Sequence, residues 1–368
     1  MKIRATARAR GAVLATLLVL LVLAGIAAGL GYQWLRNNYE APGPGTTLER
    51  IEVAPGTSLR SVLAHLQAAG LMRNARAVAW YLRLQGEHPK VESGTYEIPA
   101  RATPEQILQL FIEGKVVLEQ VTVVEGATFA DFLAVLAAAP HVQHTLKGKT
   151  PAEVMVALGH PGENPEGRFF PDTYRFAAGT ADTVILGLAY DALQRELASA
   201  WAARSSGLPL QDAYQGLILA SIVEKEAALK SERALIAGVF VNRLRLGMRL
   251  QSDPTVVYGL GVSYDGSIHT RDLTHDTPYN TYTREGLPPT PIALPGREAL
   301  LASVQPAQTG ALYFVATGLG DGAHHFSETL EEHNSAVQTY LTRLRRAQRA
   351  ANPPVAPGAA AGQGRRPP

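Results

Sequence analysis

The chain has 368 residues, 46% of them hydrophobic, with 34 Lys and Arg against 32 Asp and Glu and a net charge of +2. That length suits two or three domains, and the near-neutral balance carries no electrostatic footprint of a nucleic-acid binder. Zero cysteines exclude disulfides, thiolate nucleophiles and zinc–thiolate centres.

Lys2, Arg4, Arg8 and Arg10 make residues 1–10 a basic flank. Gly11 to Tyr32 then runs for 22 residues without a charge, and about 20 apolar residues span a bilayer core as a helix. Tyr32 and Trp34 fall where interfacial aromatics are expected. Residues 11–34 are therefore predicted as a transmembrane helix. The basic flank stays in the cytoplasm, and the bulk of the chain faces the periplasm or extracytoplasmic space. A cleaved signal peptide is the rival reading, kept open by Ala24, Gly25, Ala27, Ala28 and Gly29. The apolar run exceeds the roughly 7–15 residues of a signal core, which favours the retained anchor.

Pro42, Gly43, Pro44 and Gly45 cannot continue a helix, so residues 35–47 read as a linker. A strand over Leu48 to Val53 follows, then a helix capped by Ser58, a second over Ala75 to Gln85, and a strand at Gly94 to Ile98. Thr103-Pro104 restarts a helix. Val53-Ala-Pro-Gly-Thr-Ser-Leu59 resembles the opening of lysin-motif modules, so 48–117 is expected to be a small lysin-motif-like α+β domain. Leu118 to Val124 (strand), Glu125 to Thr128 (turn) and Phe129 to Ala138 (helix) repeat the pattern, and 118–160 forms a second strand–turn–helix unit with its connector.

The aromatic-rich loop Gly167 to Phe176 offers rings to stack on sugars or to fill a core, with Asp172 a candidate acceptor for sugar hydroxyls. A helix is expected over Thr183 to Ser199, another opening at Asp212, and another starting at Ser231 and ending at Gly247. Met248 to Thr255 looks strand-like. The proline-rich stretch Gly286 to Ile292 presets its backbone beside Tyr279-Asn-Thr-Tyr282, either lining a cleft or covering a sheet edge. A hairpin is expected around Gly318 to Gly322, then a helix from Thr329 to about Arg346, and a disordered tail over 347–368.

Leu217 to Val223 is apolar almost all round and reads as a helix inside a domain. Glu224 and Glu226 end it and point to nearly opposite sides. Glu226 shares the stripe of Ile218, Leu219, Ile222 and Val223, whereas Glu224 lines up with Leu217, Ala220 and Ser221. A carboxyl among aliphatics loses hydration and is pushed toward its neutral form, as a general acid requires. The bland alternative is that both acids reach solvent or pair with Lys225 and Lys230. Ser221 has no hydrolase-elbow context. His324, His325 and His333 could suggest a metal, but the adjacent His324 and His325 point to opposite faces of a strand, so neither a metal nor another cofactor is expected.

Ala220-Ser-Ile-Val-Glu-Lys-Glu226, Phe240-Val-Asn-Arg-Leu244, Met248 to Thr255, Tyr279-Asn-Thr-Tyr282, Gly286-Leu-Pro-Pro289 and His333-Asn334 together resemble the endolytic murein transglycosylase (YceG-like) family. Glu166 to Tyr174 matches too, except that Arg168 departs from the aromatic or aliphatic residue usual there, so no substrate role is carried to it. The resemblance implies an α+β catalytic domain over 161–346 and a single-pass inner-membrane enzyme. Such an enzyme cuts the MurNAc–GlcNAc bond of nascent peptidoglycan strands, leaves 1,6-anhydro ends and works beside penicillin-binding proteins. It implies Glu226 as the catalytic acid. Gln251, Asp253, Asn280 and Tyr282 are the expected substrate contacts, with Asp172 beside them. Glu224, Asp253 and Glu232 remain open as second carboxylates. The alternatives are a two-carboxylate hydrolase and a non-catalytic peptidoglycan-binding scaffold that recruits cell-wall synthases.

Overall fold

The computed structural model describes residues 2–54 and 56–351, and side chains within 13–348. The basic side chains of the expected flank and everything past Ala351 lie outside the described residues. The fold is mixed α+β, with an apolar helix at its start. It divides into two compact units, Met1–Gln120 with Arg175–Thr180, and Val121–Tyr174 with Ala181–Pro368.

In the first unit, α1 (Lys2–Glu40) contains the apolar run, with a mean hydropathy of 2.7 over its most apolar window and none of that window buried. The expected linker at 35–47 is corrected at its start. The helix continues to Glu40, braced by Gln33–Asn37 and Arg36–Glu40 side-chain bonds one turn apart, and stops before Pro42. Next come β1 (Glu49–Val53), α2 (Leu59–Ala68), α3 (Ala75–Gln85), β2 (Gly94–Ile98) and α4 (Pro104–Ile112). Ser58, Asn74 and Thr103 each cap the helix they precede. β1 and β2 pair antiparallel from Glu49↔Ile98 to Val53↔Gly94. Their inward residues Ile51, Val53, Tyr96 and Ile98 meet Leu63 and Leu66 of α2, Leu82 of α3 and Phe111 of α4 in one core. Gly94, at φ +145, is required by that core, since a Cβ there would lie 2.4 Å from Val116 Cγ1.

β3 (Leu118–Thr122) pairs with β4 (Thr173–Ala177), and the division between units falls within both strands. Between them come α5 (Phe129–Ala138) and α6 (Pro151–Ala157), whose N-caps Thr128 and Thr150 each close a capping box. After β4 come α7 (Asp182–Ala202), α8 (Ala213–Glu226), α9 (Arg233–Arg245), α10 (Asp253–Leu260), α11 (Thr270–Thr274) and α12 (Arg297–Val304). The hairpin of β5 (Tyr313–Ala316) and β6 (His324–Ser327) and the closing α13 (Leu330–Ala351) complete the chain's described part.

As its apolar surface predicts, α8 is the buried helix of the second unit. It packs on α7, α9, α10 and α12, with Leu217 through Val223 all buried. Two expectations are corrected here. Met248–Thr255 is not a strand: residues 248–252 form an unpaired loop, and Asp253-Pro254 opens α10, with proline fitting a first helical turn. Residues 347–351 of the expected tail belong to α13.

Candidate active site

Glu226 is the last residue of α8 and lines an open cleft of about 440 Å³ in the second unit. The helix is anchored by Asp212, which accepts the Gln215 amide at its start, and by the Leu219, Ile222 and Val223 face packed against Ile236 and Phe240. Glu226 itself is half-buried, and burial raises its carboxyl pKa to about 7. The hydrogen bond from Ser252 and the charge of Arg243 oppose that rise, and the charge of Asp253 adds to it.

The opposite wall begins at the entry to α10. Ser252 is buried and its Oγ donates to Glu226 Oε1 at 2.5 Å. Its backbone amide donates to Thr281 Oγ1 at 3.0 Å, and its carbonyl accepts from Thr255 Oγ1 at 2.6 Å. Ser252 is thus fixed from both sides before it reaches the acid. Asp253 follows and accepts from the Tyr282 hydroxyl at 2.6 Å. Burial, then this carboxylate, push the Tyr282 phenol upward and keep it a neutral donor. Gln251 also lines the cleft. It adopts a left-handed backbone at φ 52, an uncommon conformation for a non-glycine residue, held by its amide donating to Thr281 O at 3.1 Å.

The cation of the site is Arg243. Its Nε donates to Leu312 O at 2.7 Å, its Nη1 to Leu250 O at 2.8 Å and to Gln251 Oε1 at 3.3 Å, and its guanidinium lies 5.2 Å from the Tyr313 ring. His333 stacks on that ring at 5.2 Å, and Asn334 and Leu330 complete the rim. Burial and the nearby Arg243 lower the His333 pKa, so the imidazole stays neutral at pH 7. His324 is committed elsewhere, to Glu232.

Of the residues expected at the site, Glu226, Gln251, Asp253 and Tyr282 meet in this cleft. Asn280 and Asp172, the other two expected substrate contacts, do not line it. Asn280 is buried, its amide donating to the carbonyls of Asp272, Leu273 and His275 and its Oδ1 accepting the Tyr282 amide. It is a brace for the loop that carries Tyr282. Asp172 is exposed, its carboxylate accepting its neighbour Thr173's amide at 2.7 Å.

Of the three acids held open as partners, only Asp253 shares the cleft with Glu226. Glu224 turns the other way, to Arg233 at 2.5 Å and the Gly296 amide at 3.0 Å, and Arg233 also reaches Glu125 and Glu298. Glu232 accepts both the amide and the ring of His324. Neither acid of α8 pairs with a lysine among the described residues: Lys225 donates to Gly126 O, and Lys230 faces Glu125 and Glu298.

Ser252, Arg243 and Tyr313 join the site without being singled out by the sequence, and His333, a metal candidate there, stands at its rim instead. All but Tyr313 lie inside stretches that carry the family resemblance, and that was the available signal.

The YceG-like family model matches residues 51–339 of this chain. An endolytic murein transglycosylase of Bacillus subtilis is 30% identical over 315 residues, covering 80% of this chain and 86% of that protein. One from Streptococcus pneumoniae is 26% identical over 359 residues, covering 88% of this chain and 64% of its own length. A crystal structure of a YceG-like protein from Listeria monocytogenes aligns with 79% of this chain and 99% of its own, at 28% identity and a TM-score of 0.46.

Proposed function

The chain belongs to the YceG-like family, and from that premise we propose that it is a membrane-anchored endolytic murein transglycosylase. It cleaves the MurNAc–GlcNAc bond of nascent glycan strands and leaves 1,6-anhydro-MurNAc ends. The observation that carries this reading is one half-buried carboxyl, Glu226, with its pKa raised to about 7, on an open polar cleft. Such a group is protonated often enough at neutral pH to donate, and basic enough afterwards to accept.

Protonated Glu226 gives its proton to the oxygen between muramyl C1 and the next sugar, and the C1–O bond breaks. The muramyl 6-hydroxyl oxygen then bonds to C1, and its proton returns to the Glu226 carboxylate. Atoms balance without water, and no second carboxylate has to hold a nucleophile, unlike in an ordinary glycosidase. Asp253, steadied by Tyr282, supplies negative charge on the same cleft for the positive charge that builds at C1. Gln251 and Tyr282 are the substrate contacts.

The uncharged run of α1 supports a single-pass anchor in the bacterial inner membrane, N-terminus in the cytoplasm. The order β1–α2–α3–β2 supports the lysin-motif-like reading of the first unit. Cell-wall synthases that extend the same strands are the expected neighbours. The test is mass spectrometry of products from purified glycan strands, with wild type beside Glu226→Gln. Wild type should release anhydro ends and the variant none. Reducing ends, heavier by one water, would mean a hydrolase, and strand binding without any cleavage would mean a scaffold.

A further inference from the structure

The first unit carries two large apolar side chains in solvent close to the point where α1 leaves its apolar run. Within this unit α3 packs along α1. Gln85 Nε2 donates to the Tyr32 hydroxyl at 3.0 Å, the Tyr32 and Tyr81 rings are 6.0 Å apart, and Tyr39 and Tyr81 are 4.8 Å apart. Tyr32 ends the uncharged run, and Tyr39 lies about 10 Å farther along the helix at 1.5 Å per residue. Tyr81 therefore sits between the two levels and Gln85 at the lower one, so α3 points its C-terminal end toward the apolar run. With α1 continuous to Glu40, this packing fixes the height of α3 instead of leaving it on a tether.

The inner face of α3, Val78, Tyr81 and Leu82, is buried. The outward stripe one turn apart holds Arg76, Trp80 and Leu84, with Trp80 58% and Leu84 60% exposed. The Arg83 guanidinium lies 5.7 Å from the Trp80 ring. Leu84 is at the level of Tyr32, and Trp80 is one turn above it. Trp34, 54% exposed on α1, belongs to the same belt. An indole and an aliphatic flanked by arginines, at the height where an anchor helix exits, match the amphipathic chemistry of a headgroup layer.

We propose that the C-terminal end of α3 rests in the phospholipid headgroup layer, with Trp80 and Leu84 at the interface and Arg76 and Arg83 on phosphates. Glu87, exposed just past the C-terminal end of α3, is the acid nearest in sequence and sits at the water side of the same headgroup layer, within reach of its cationic amines. This inference rests on the membrane-anchor reading of α1.

The full chain is reconstituted in phosphatidylcholine vesicles with or without a headgroup nitroxide that quenches indole emission. Wild type, Trp80→Phe and Trp34→Phe are compared. Both side chains are exposed, so both variants should keep the wild-type melting temperature. The expected result is a loss of emission in wild type of which each variant lacks a part, showing that both indoles lie among headgroups. If Trp34→Phe lacks its part and Trp80→Phe quenches like wild type, the anchor stands and the α3 surface is wrong. If nitroxide quenches none of the three, the anchor reading falls and takes this one with it.

Discussion

Ser252 donates its hydroxyl proton to Oε1 of Glu226 at 2.5 Å, and no other side chain among the described residues makes a hydrogen bond to that carboxyl. One carboxyl oxygen is therefore engaged, which leaves Oε2 as the oxygen that would exchange a proton with substrate in the proposed reaction. The bond favours the carboxylate, so it works against burial in setting the pKa.

Removing it has a signed consequence. A general acid loses activity as it deprotonates, so kcat/KM should fall as pH rises through about 7. In Ser252→Ala the carboxylate loses its donor and the Glu226 pKa climbs further. The descending limb should move to higher pH by about one to two units, given about 1.5–3 kcal/mol for a hydrogen bond to a charged group. A pH–rate profile on glycan strands checks the direction. An unmoved or acid-shifted limb would sink the role given to Ser252.

The same pKa predicts a stability effect. Between the ordinary 4.5 and about 7, folded Glu226 holds a proton that the unfolded chain has released. Stability on this account is full below pH 4.5 and declines as pH rises through about 7, by at most about 3 kcal/mol. Glu226→Gln removes the decline. Its melting temperature should match wild type at pH 4 and exceed it at pH 8, and calorimetry at the two values decides.

Arg233→Met should be strongly destabilising. It leaves the Glu224 carboxyl, whose side chain is 5% exposed, without its cation, a loss of about 3–5 kcal/mol. Urea unfolding measures it. Glu224→Gln should in turn retain strand cleavage where Glu226→Gln does not. Equal loss in both would remove the distinction between the two acids.

Asn280→Ala takes an amide away from three backbone carbonyls. A stability loss of about 2–3 kcal/mol is expected, with KM changed little once the variant is assayed well below its melting temperature. A large KM rise at full stability would restore Asn280 as a substrate contact.

Helical spacing was enough to separate Glu226 from Glu224, because α8 is buried all round and each acid inherits the neighbours of its own stripe. Ser58, Thr103 and Asp212 were legible as caps because capping is local. The wall facing Glu226 was not. Ser252, Arg243 and Tyr313 come from three separate elements, and only tertiary packing brings them to one cleft. Asn280 shows the opposite failure. A polar side chain in a proline-rich loop reads equally well as a ligand contact or as a brace for the backbone, and only the positions of the Asp272, Leu273 and His275 carbonyls decide it. Arg243 is buried against the carbonyls of Leu250 and Leu312, partners that no local spacing reveals.

Glu226 ends its helix, and Asp212 begins it. Aligned peptide dipoles give a helix roughly half a negative charge at its C-terminus and half a positive one at its N-terminus. The field at the last turn of α8 disfavours an ionised Glu226. The helix holds its acid in position and also supplies part of the electrostatic pressure that keeps a proton on it.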